Sequence, residues 1–528
     1  MGKKNMSRRG FLGLTAAGAA LGVAGLAGCS PAGSEDKPVA KGSDEGSSTY
    51  EPGEIAETID ADIVVVGLGM SGLAAAVQAA NNGDRVVGIE ATNTTGGNGI
   101  GVEGIFAVGT QLQKEAGIEV TPVEIIQTEM EEAQMVTNGA LWNRFINASG
   151  DNVEWLIEQG VKFSGMVDDY LGSGIVSCFH WFEGDVASVG YVPHMTARAE
   201  ELGVDVRLET SAKQLIMSDG KVAGLFAEDS DGNTLRINAK AVILATGGFA
   251  QNQELMEERG WNWDNIVYGG TPGHNGDGLK MAFDVGARSF VNNSTFNSTN
   301  ICGRGDTFAW KADTFTSVFC GAGMFGTGGA QLWVNEDGER FICEDFAKDN
   351  FEMQCVPAMT HRAMYSVFDR AILEAGLAGD PDMLEFVDTD PEDDLCKADT
   401  VAELAAYFGV DAAALQASVD RYNELCEKGA DADFGKPAEA MVPISTPPFY
   451  MAKLNQYFLM SVGGIECDIN AQVVDQNKEP IAGLYAVGTD GCMLYRNIYT
   501  INVGGTCNGN NVNSGRTAAN HAHEYLAS

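Results

Sequence analysis

Three glycines, Gly67, Gly69 and Gly72, stand between the β-branched run Ile63-Val64-Val65-Val66 and an alanine-rich stretch from Ser71 to Asn81. That order of strand, tight turn and helix suits a dinucleotide. The glycines let the backbone turn sharply and approach a pyrophosphate, while the helix N-terminus offers unpaired N–H groups and the positive end of its dipole. Glu90 closes the next strand signal, Arg85–Glu90, eighteen residues after Gly72, where it can accept both hydroxyls of a ribose. No metal chemistry is indicated. The six histidines stand singly apart from His521 and His523, which on a helix face different sides, and the closest cysteines of the mature chain, Cys343 and Cys355, are twelve positions apart. There is no C-x-x-C, so neither haem nor an iron–sulfur cluster is expected, and disulfide pairing stays open.

The elements that must hold these residues are legible along the chain. Lys3, Lys4, Arg8 and Arg9 precede an apolar run from Phe11 to Ala27 that meets Cys29, the layout of a cleaved export signal. Ser7–Leu12 resembles a twin-arginine signal and Leu26–Cys29 a lipobox, so the expectation is an exported protein held to the outer face of the cytoplasmic membrane by acylated Cys29. Residues 1–29 are thus read as signal and 30–57, rich in Ser, Gly, Glu and Pro, as a flexible tether. Strand signals follow at Ala61–Val66, Arg85–Glu90, Val204–Leu208, Gln214–Met217 and Ala241–Ala245, with a turn at Asp219-Gly220. From about 292 to 446 the chain shifts to Cys-, Phe- and Gly-rich loops with helices near 400–408 and 412–428. A strand leading to Gly488 and a terminal helix from Asn508 to Leu526 complete it. The net charge of -40 is spread over the chain, which excludes nucleic acid as a partner and reads as a solvated surface.

Thr95-Gly96-Gly97-Asn98 and Ala245-Thr246-Gly247-Gly248 favour FAD over NAD. Together with Gly276-Asp277-Gly278-Leu279, Gly338-Glu339-Arg340-Phe341 and Gly483–Gly488, they resemble the flavoprotein family of fumarate reductases, urocanate reductases and 3-ketosteroid dehydrogenases. The resemblance runs from about residue 58 to 525. It implies an α/β fold: a two-dinucleotide-binding, Rossmann-like domain of the glutathione-reductase type (58–291 and 447–528) with an inserted α+β capping domain (292–446). The flavin contacts it implies are Gly67, Gly69, Ser71, Gly72, Glu90, Thr95, Gly96, Gly97, Asn98, Gly99, Gly104, Thr246, Gly247, Asp277, Thr489, Gly505 and Asn508. Relatives with covalent FAD carry a His after the double glycine; Asn98 and Gly99 stand here, so the FAD is expected to be non-covalent. The terminal helix, preceded by Gly504-Gly505-Thr506, would aim its N-terminus at the N1/C2 edge of the flavin.

Departures from the family pattern bear on the substrate. Fumarate reductases place an Arg eight residues after the Arg of an R-F-x-N-E segment; after Arg340-Phe341-Ile342-Cys343-Glu344 that spacing falls on Lys348. Their Thr-Glu-x-x-Arg run falls on Gly323–Thr327, their His on Met460, and their last Arg on Asn502. A dicarboxylate buried without those partners would cost about several kcal/mol per charge, which argues against fumarate. Lys348, Trp333, Met324, Phe325, Tyr495, Arg496 and Tyr499 suit a larger, partly apolar or aromatic alkene with one polar handle. Lys348, Tyr499 or Tyr495 would donate the proton, and Arg496 is a further catalytic candidate. The expected activity is hydride transfer from flavin N5 to an activated C=C bond as an acceptor step in anaerobic respiration. With neither haem nor covalent FMN in the chain, electrons would come from a separate membrane-associated donor. A ketosteroid-type dehydrogenase and a non-catalytic flavin shuttle are the alternatives.

Overall fold

Burial at every position marks the runs Ile63–Val66, Val86–Ile89 and Ala241–Leu244, the pattern a parallel sheet covered on both faces imposes. The computed structural model describes residues 50–170, 174–302, 329–346, 355–376, 384, 394–496, 499 and 503–528. In it these runs form the centre of a six-stranded sheet ordered Gln472–Val474, Pro480–Ala486, Ala241–Leu244, Ile63–Val66, Val86–Ile89, Asp205–Arg207. All neighbours are parallel except the first pair. Strands from early and late in the chain therefore share one sheet, as a domain built from both ends requires. Helix Met70–Asn81 follows the first strand at once, and the terminal helix Thr506–Ala527 lies across it. Small residues permit that crossing: a Cβ on Gly515 would sit 3.0 Å from the backbone nitrogen of Ala75.

A four-stranded sheet ordered Ile55–Asp60, Thr234–Asn238, Lys221–Asp229, Thr210–Ser218 stands beside it. The hairpin turns at Asp219-Gly220, both left-handed, with φ of 52° and 74°, the geometry that follows the right-handed strand twist. The first of these strands corrects the sequence reading. The tether was expected to reach residue 57, yet Ile55–Asp60 pairs in parallel with Thr234–Asn238. It is an edge strand, exposed except at Ile59, so its polar composition resembles a linker while its backbone is paired and Glu57 binds Arg207 at 2.8 Å.

The second large sheet centres on the fourteen-residue strand Phe449–Val462. It pairs with Ile266–Tyr268, Thr295–Cys302, Met364–Asp369 and Leu395–Ala398, and Leu332–Asn335 adds beyond Met364–Asp369. A boundary at 446/447 therefore separates this strand from most of its partners; the central strand is shared between the expected domains. Trp333, expected near the flavin, is fully buried inside this sheet. Beneath it lies a charge cluster in which Arg340 donates to both Glu344 and Asp431, and Lys436 approaches Glu344 at 3.4 Å. Helices Val401–Phe408 and Ala412–Lys428 pack near it, close to their expected spans. Among the described residues Cys178, Cys343, Cys396, Cys426, Cys467, Cys492 and Cys507 are free thiols.

Candidate functional site

A cavity of about 330 Å³ opens at the carboxyl ends of the parallel strands, where open α/β sheets bind ligands. Gly67, Gly69, Ser71, Glu90, Gly96, Gly97, Asn98, Gly99, Thr246, Gly247, Asp277, Thr489 and Asn508 line it. They come from segments more than 400 residues apart in the chain. Helix Met70–Asn81 meets the cavity with no side-chain cap and no acidic residue in its first turn, so its first N–H groups remain for an anion.

The glycines divide into two kinds. A Cβ on Gly67 would collide with the carbonyl oxygen of Ala245, and one on Gly72 with that of Gly67, so both serve the backbone's own packing. A Cβ on Gly69 would meet only Gly96 O at 3.7 Å, and one on Gly97 only Gly69 Cα at 3.7 Å. Space is thus kept open in front of the helix, a cradle that fits a pyrophosphate. Glu90 accepts from Leu68 N at 2.8 Å and from Thr92 N at 3.0 Å, which pins the glycine turn to the second strand. A carboxylate with about four acceptor sites keeps capacity for a ribose hydroxyl.

Four expected contacts lie behind the wall instead. Gly72 packs under the turn, Thr95 bonds Thr196 at 2.7 Å, Gly104 fits against the His180 carbonyl, and Gly505 sits against Phe106 N and the Phe179 ring. Asn98 lines the cavity, but its amide is committed: it donates to Leu459 O at 2.8 Å and accepts from Thr271 N at 2.6 Å. It clamps the loop Thr271–His274, also part of the wall. His274 contacts Gly247 O at 2.8 Å and Thr271 Oγ1 at 3.2 Å, and burial holds its pKa below the ordinary imidazole value.

Asp490 was not foreseen. Fully buried, it accepts from Thr246 N at 2.6 Å, Thr246 Oγ1 at 2.9 Å and Gly248 N at 2.7 Å, fixing the double-glycine turn at the cavity edge. Desolvation raises its pKa against the pull of these donors. Its partners lie more than 240 residues away in sequence, so only the acid immediately after a Gly-Thr strand end hinted at it.

The FAD binding domain family matches residues 62–502. This chain belongs to that family. FAD is its cofactor, and it is an oxidoreductase. Among relatives in the FAD binding domain family, the vinyl phenol reductase of Lactiplantibacillus plantarum is 30% identical over 88% of this chain and 96% of its own length. The urocanate reductase of Eggerthella lenta is 30% identical over 82% of this chain and 70% of its own. A flavocytochrome c3 fumarate reductase, solved in an open conformation, superposes with a TM-score of 0.64 at 25% identity, over 90% of this chain and 80% of that one.

The expected catalytic set is not gathered in the cavity. Tyr495 is buried in a cluster with Trp142 and Tyr499, its hydroxyl bonded to Thr506 Oγ1 at 2.5 Å at the start of the terminal helix, and burial lifts its pKa far up. It packs in this cluster and is not among the residues lining the cavity. Tyr499 stacks edge-on against it at 4.8 Å. Arg496 is exposed, where its guanidinium keeps its hydration, and donates to Asn293 Oδ1 at 2.7 Å. Lys348, Asn502 and Gly323–Thr327 lie outside the described residues. Met460 does line the cavity.

Proposed function

We propose that this flavoprotein reduces the C=C bond of an aryl alkene or bulky enone and not of a dicarboxylate. The observation that carries the reading is Met460: a thioether stands in the cavity wall at the register where fumarate reductases are expected to place a cationic His. A thioether packs against rings and gives a carboxylate nothing to bind. A relative named for vinyl phenol, matched along 96% of its length, supports the same class.

Bound FAD supplies the two-electron chemistry, accepting electrons from a donor and releasing hydride to an alkene carbon. The chain's own residues do the rest. Gly69, Gly97 and the start of helix Met70–Asn81 receive the pyrophosphate, and Glu90 a ribose hydroxyl. Asp490 and His274 hold the Thr246–Gly248 turn, and the start of Thr506–Ala527 offers its positive end to reduced flavin. With no His after Gly97-Asn98 the FAD is bound non-covalently. Lys348 is the candidate proton donor by its register with the family's Arg. Export through the Arg8-Arg9 signal, anchoring through acylated Cys29 and electron supply from a separate membrane-associated donor complete the proposal; Cys29→Ser should release the protein from the membrane fraction. The test of function is a panel of aryl alkenes, enones, ketosteroids and dicarboxylates offered to dithionite-reduced holoenzyme, with products identified by mass. Saturated aryl or enone products support the reading; succinate alone overturns it.

A further inference from the structure

Behind the cavity wall lies a second, chemically distinct group of residues. The three-stranded sheet of Gly104–Phe106, Phe163–Asp168 and Phe179–Phe182 sets Phe179 and Trp181 on one face, since alternate residues of a strand point the same way. Tyr170 closes the group. Its ring lies 4.7 Å from Phe179 and stacks on Trp181 at 5.9 Å with an interplanar angle of 18°. It adopts a left-handed φ of 60°, unusual for a bulky side chain, with its N–H held by Asp168 Oδ1 at 2.9 Å, the oxygen that also takes the Trp181 indole N–H. Such strain persists where surrounding structure imposes it, and clusters at ligand clamps. Gly504 makes room for it: a Cβ there would stand 2.9 Å from Tyr170 Cβ.

The polar member is Glu103, between Val102, which lines the cavity, and Gly104, whose carbonyl is bonded by the cavity residue Asn508 at 3.2 Å. Among the described residues Glu103 has no cationic partner; its side-chain contact is a long one, from Tyr170 Oη at 3.4 Å. Both are half-buried, and burial raises the Glu103 pKa. An acid kept partly desolvated beside stacked rings, with no counter-charge, suits a neutral hydrogen-bond donor and repels an anion.

We propose that Glu103 and Tyr170 form the far end of the substrate subsite and receive the ring hydroxyl of a phenolic alkene, Glu103 accepting its hydrogen bond and taking up its proton during reduction. The inference rests on the aryl-alkene reading above and deepens it. A para-hydroxyl donates electrons, so a hydroxystyrene is not electron-poor as an enone is, and hydride does not add to it directly. When the O–H bond breaks and its proton moves to the Glu103 carboxylate, the oxygen's electron pair flows through the ring. The alkene's π pair then takes a proton from solvent water at the terminal carbon, releasing hydroxide that the buffer neutralises and giving a quinone methide with an electron-poor benzylic carbon. Hydride addition there and return of the proton from Glu103 to oxygen complete the reduction, a net gain of one hydride and one proton across the C=C bond.

The test uses FAD-loaded enzyme and the product-like probes 4-ethylphenol and ethylbenzene, followed by perturbation of the oxidised flavin spectrum. The wild type should bind 4-ethylphenol about tenfold more tightly than ethylbenzene, the worth of one good hydrogen bond to a charged group. Glu103→Gln should shrink that preference to about twofold or less with FAD content unchanged, and Tyr170→Phe should reduce it partly. With 4-vinylphenol as substrate, Glu103→Gln should slow turnover about 10²-fold while reduction of cinnamaldehyde, activated by its own carbonyl, stays within about threefold. Equal loss on both substrates, or no hydroxyl preference in the wild type, overturns the proposal. Should Glu103→Gln fold poorly, Glu103→Asp serves, retaining the preference in weakened form. A wild type that reduces neither alkene would refute the functional reading itself, a result separate from the variant comparison.

Discussion

The glycine turn permits a test in which two neighbouring substitutions of the same kind have opposite outcomes. Gly69 has φ of -70° and ψ of -167°, open to any residue, and its Cβ would meet only Gly96 O at 3.7 Å. Gly69→Ala should therefore leave the apoprotein as stable as the wild type or stabilise it by about 0.4–1 kcal/mol, because a Gly replaced without strain reduces the entropy of the unfolded chain. The added methyl would occupy cofactor space. Overpacking of about 1–3 kcal/mol corresponds to an FAD affinity weakened roughly 5- to 150-fold. Gly72→Ala should behave in the reverse sense, since its Cβ would drive into the carbonyl of Gly67, which is backbone and cannot swing aside; the apoprotein itself should lose stability. Thermal melts of cofactor-stripped protein and titration with FAD followed by flavin fluorescence give both quantities. If Gly69→Ala binds FAD as the wild type does, or melts as low as Gly72→Ala, the assignment of this space to the pyrophosphate is wrong.

Removing the Asp490 carboxylate leaves the buried N–H of Gly248 and the part-buried N–H of Thr246 without an acceptor, the first at about 1–3 kcal/mol and the second at less. Asp490→Ala should accordingly lower unfolding free energy by about 1–4 kcal/mol in denaturant and reduce retained FAD; an unchanged midpoint would count against its hold on the Thr246–Gly248 turn. His180 is buried with its ring nitrogens on Thr110 Oγ1 and Cys178 O, and burial pulls its pKa down to about 4 from an ordinary 6.5. The unfolded chain takes up that proton first as pH falls. Its contribution is thus complete above pH 6.5 and is lost between about 6.5 and 4. Denaturation midpoints at pH 7 and pH 5 should differ less in His180→Gln than in the wild type, and an equal pH dependence would show that other groups govern acid sensitivity.

What the sequence disclosed follows from how far each signal reaches along the chain. Gly67, Gly69 and Glu90 fall within one strand–helix–strand unit, so spacing alone placed them at the cavity, and the Asp219-Gly220 hairpin was local in the same way. Asp490 acts on a turn 242 positions away, and the Asn98–Thr271–His274 contacts join separate loops, so no local pattern announced them. Ile55–Asp60 was misread because an exposed edge strand carries the composition of a linker. Thr95 and Gly505 satisfy a motif yet pack behind the wall, since a motif fixes backbone path more tightly than it fixes which atoms face a ligand. Tyr495 and Trp333 share the difficulty of all aromatic residues: the same side chain serves a core or a site, and here the core claimed both.

Whether this flavoprotein reduces aryl alkenes is decided by rapid mixing of anaerobic, dithionite-reduced holoenzyme with 4-vinylphenol or with fumarate while flavin absorbance is followed. An aryl-alkene reductase gives fast return of the oxidised flavin spectrum with 4-vinylphenol, accompanied by 4-ethylphenol, and no reoxidation above the buffer rate with fumarate. Rapid reoxidation by fumarate with none by any aryl alkene would contradict it.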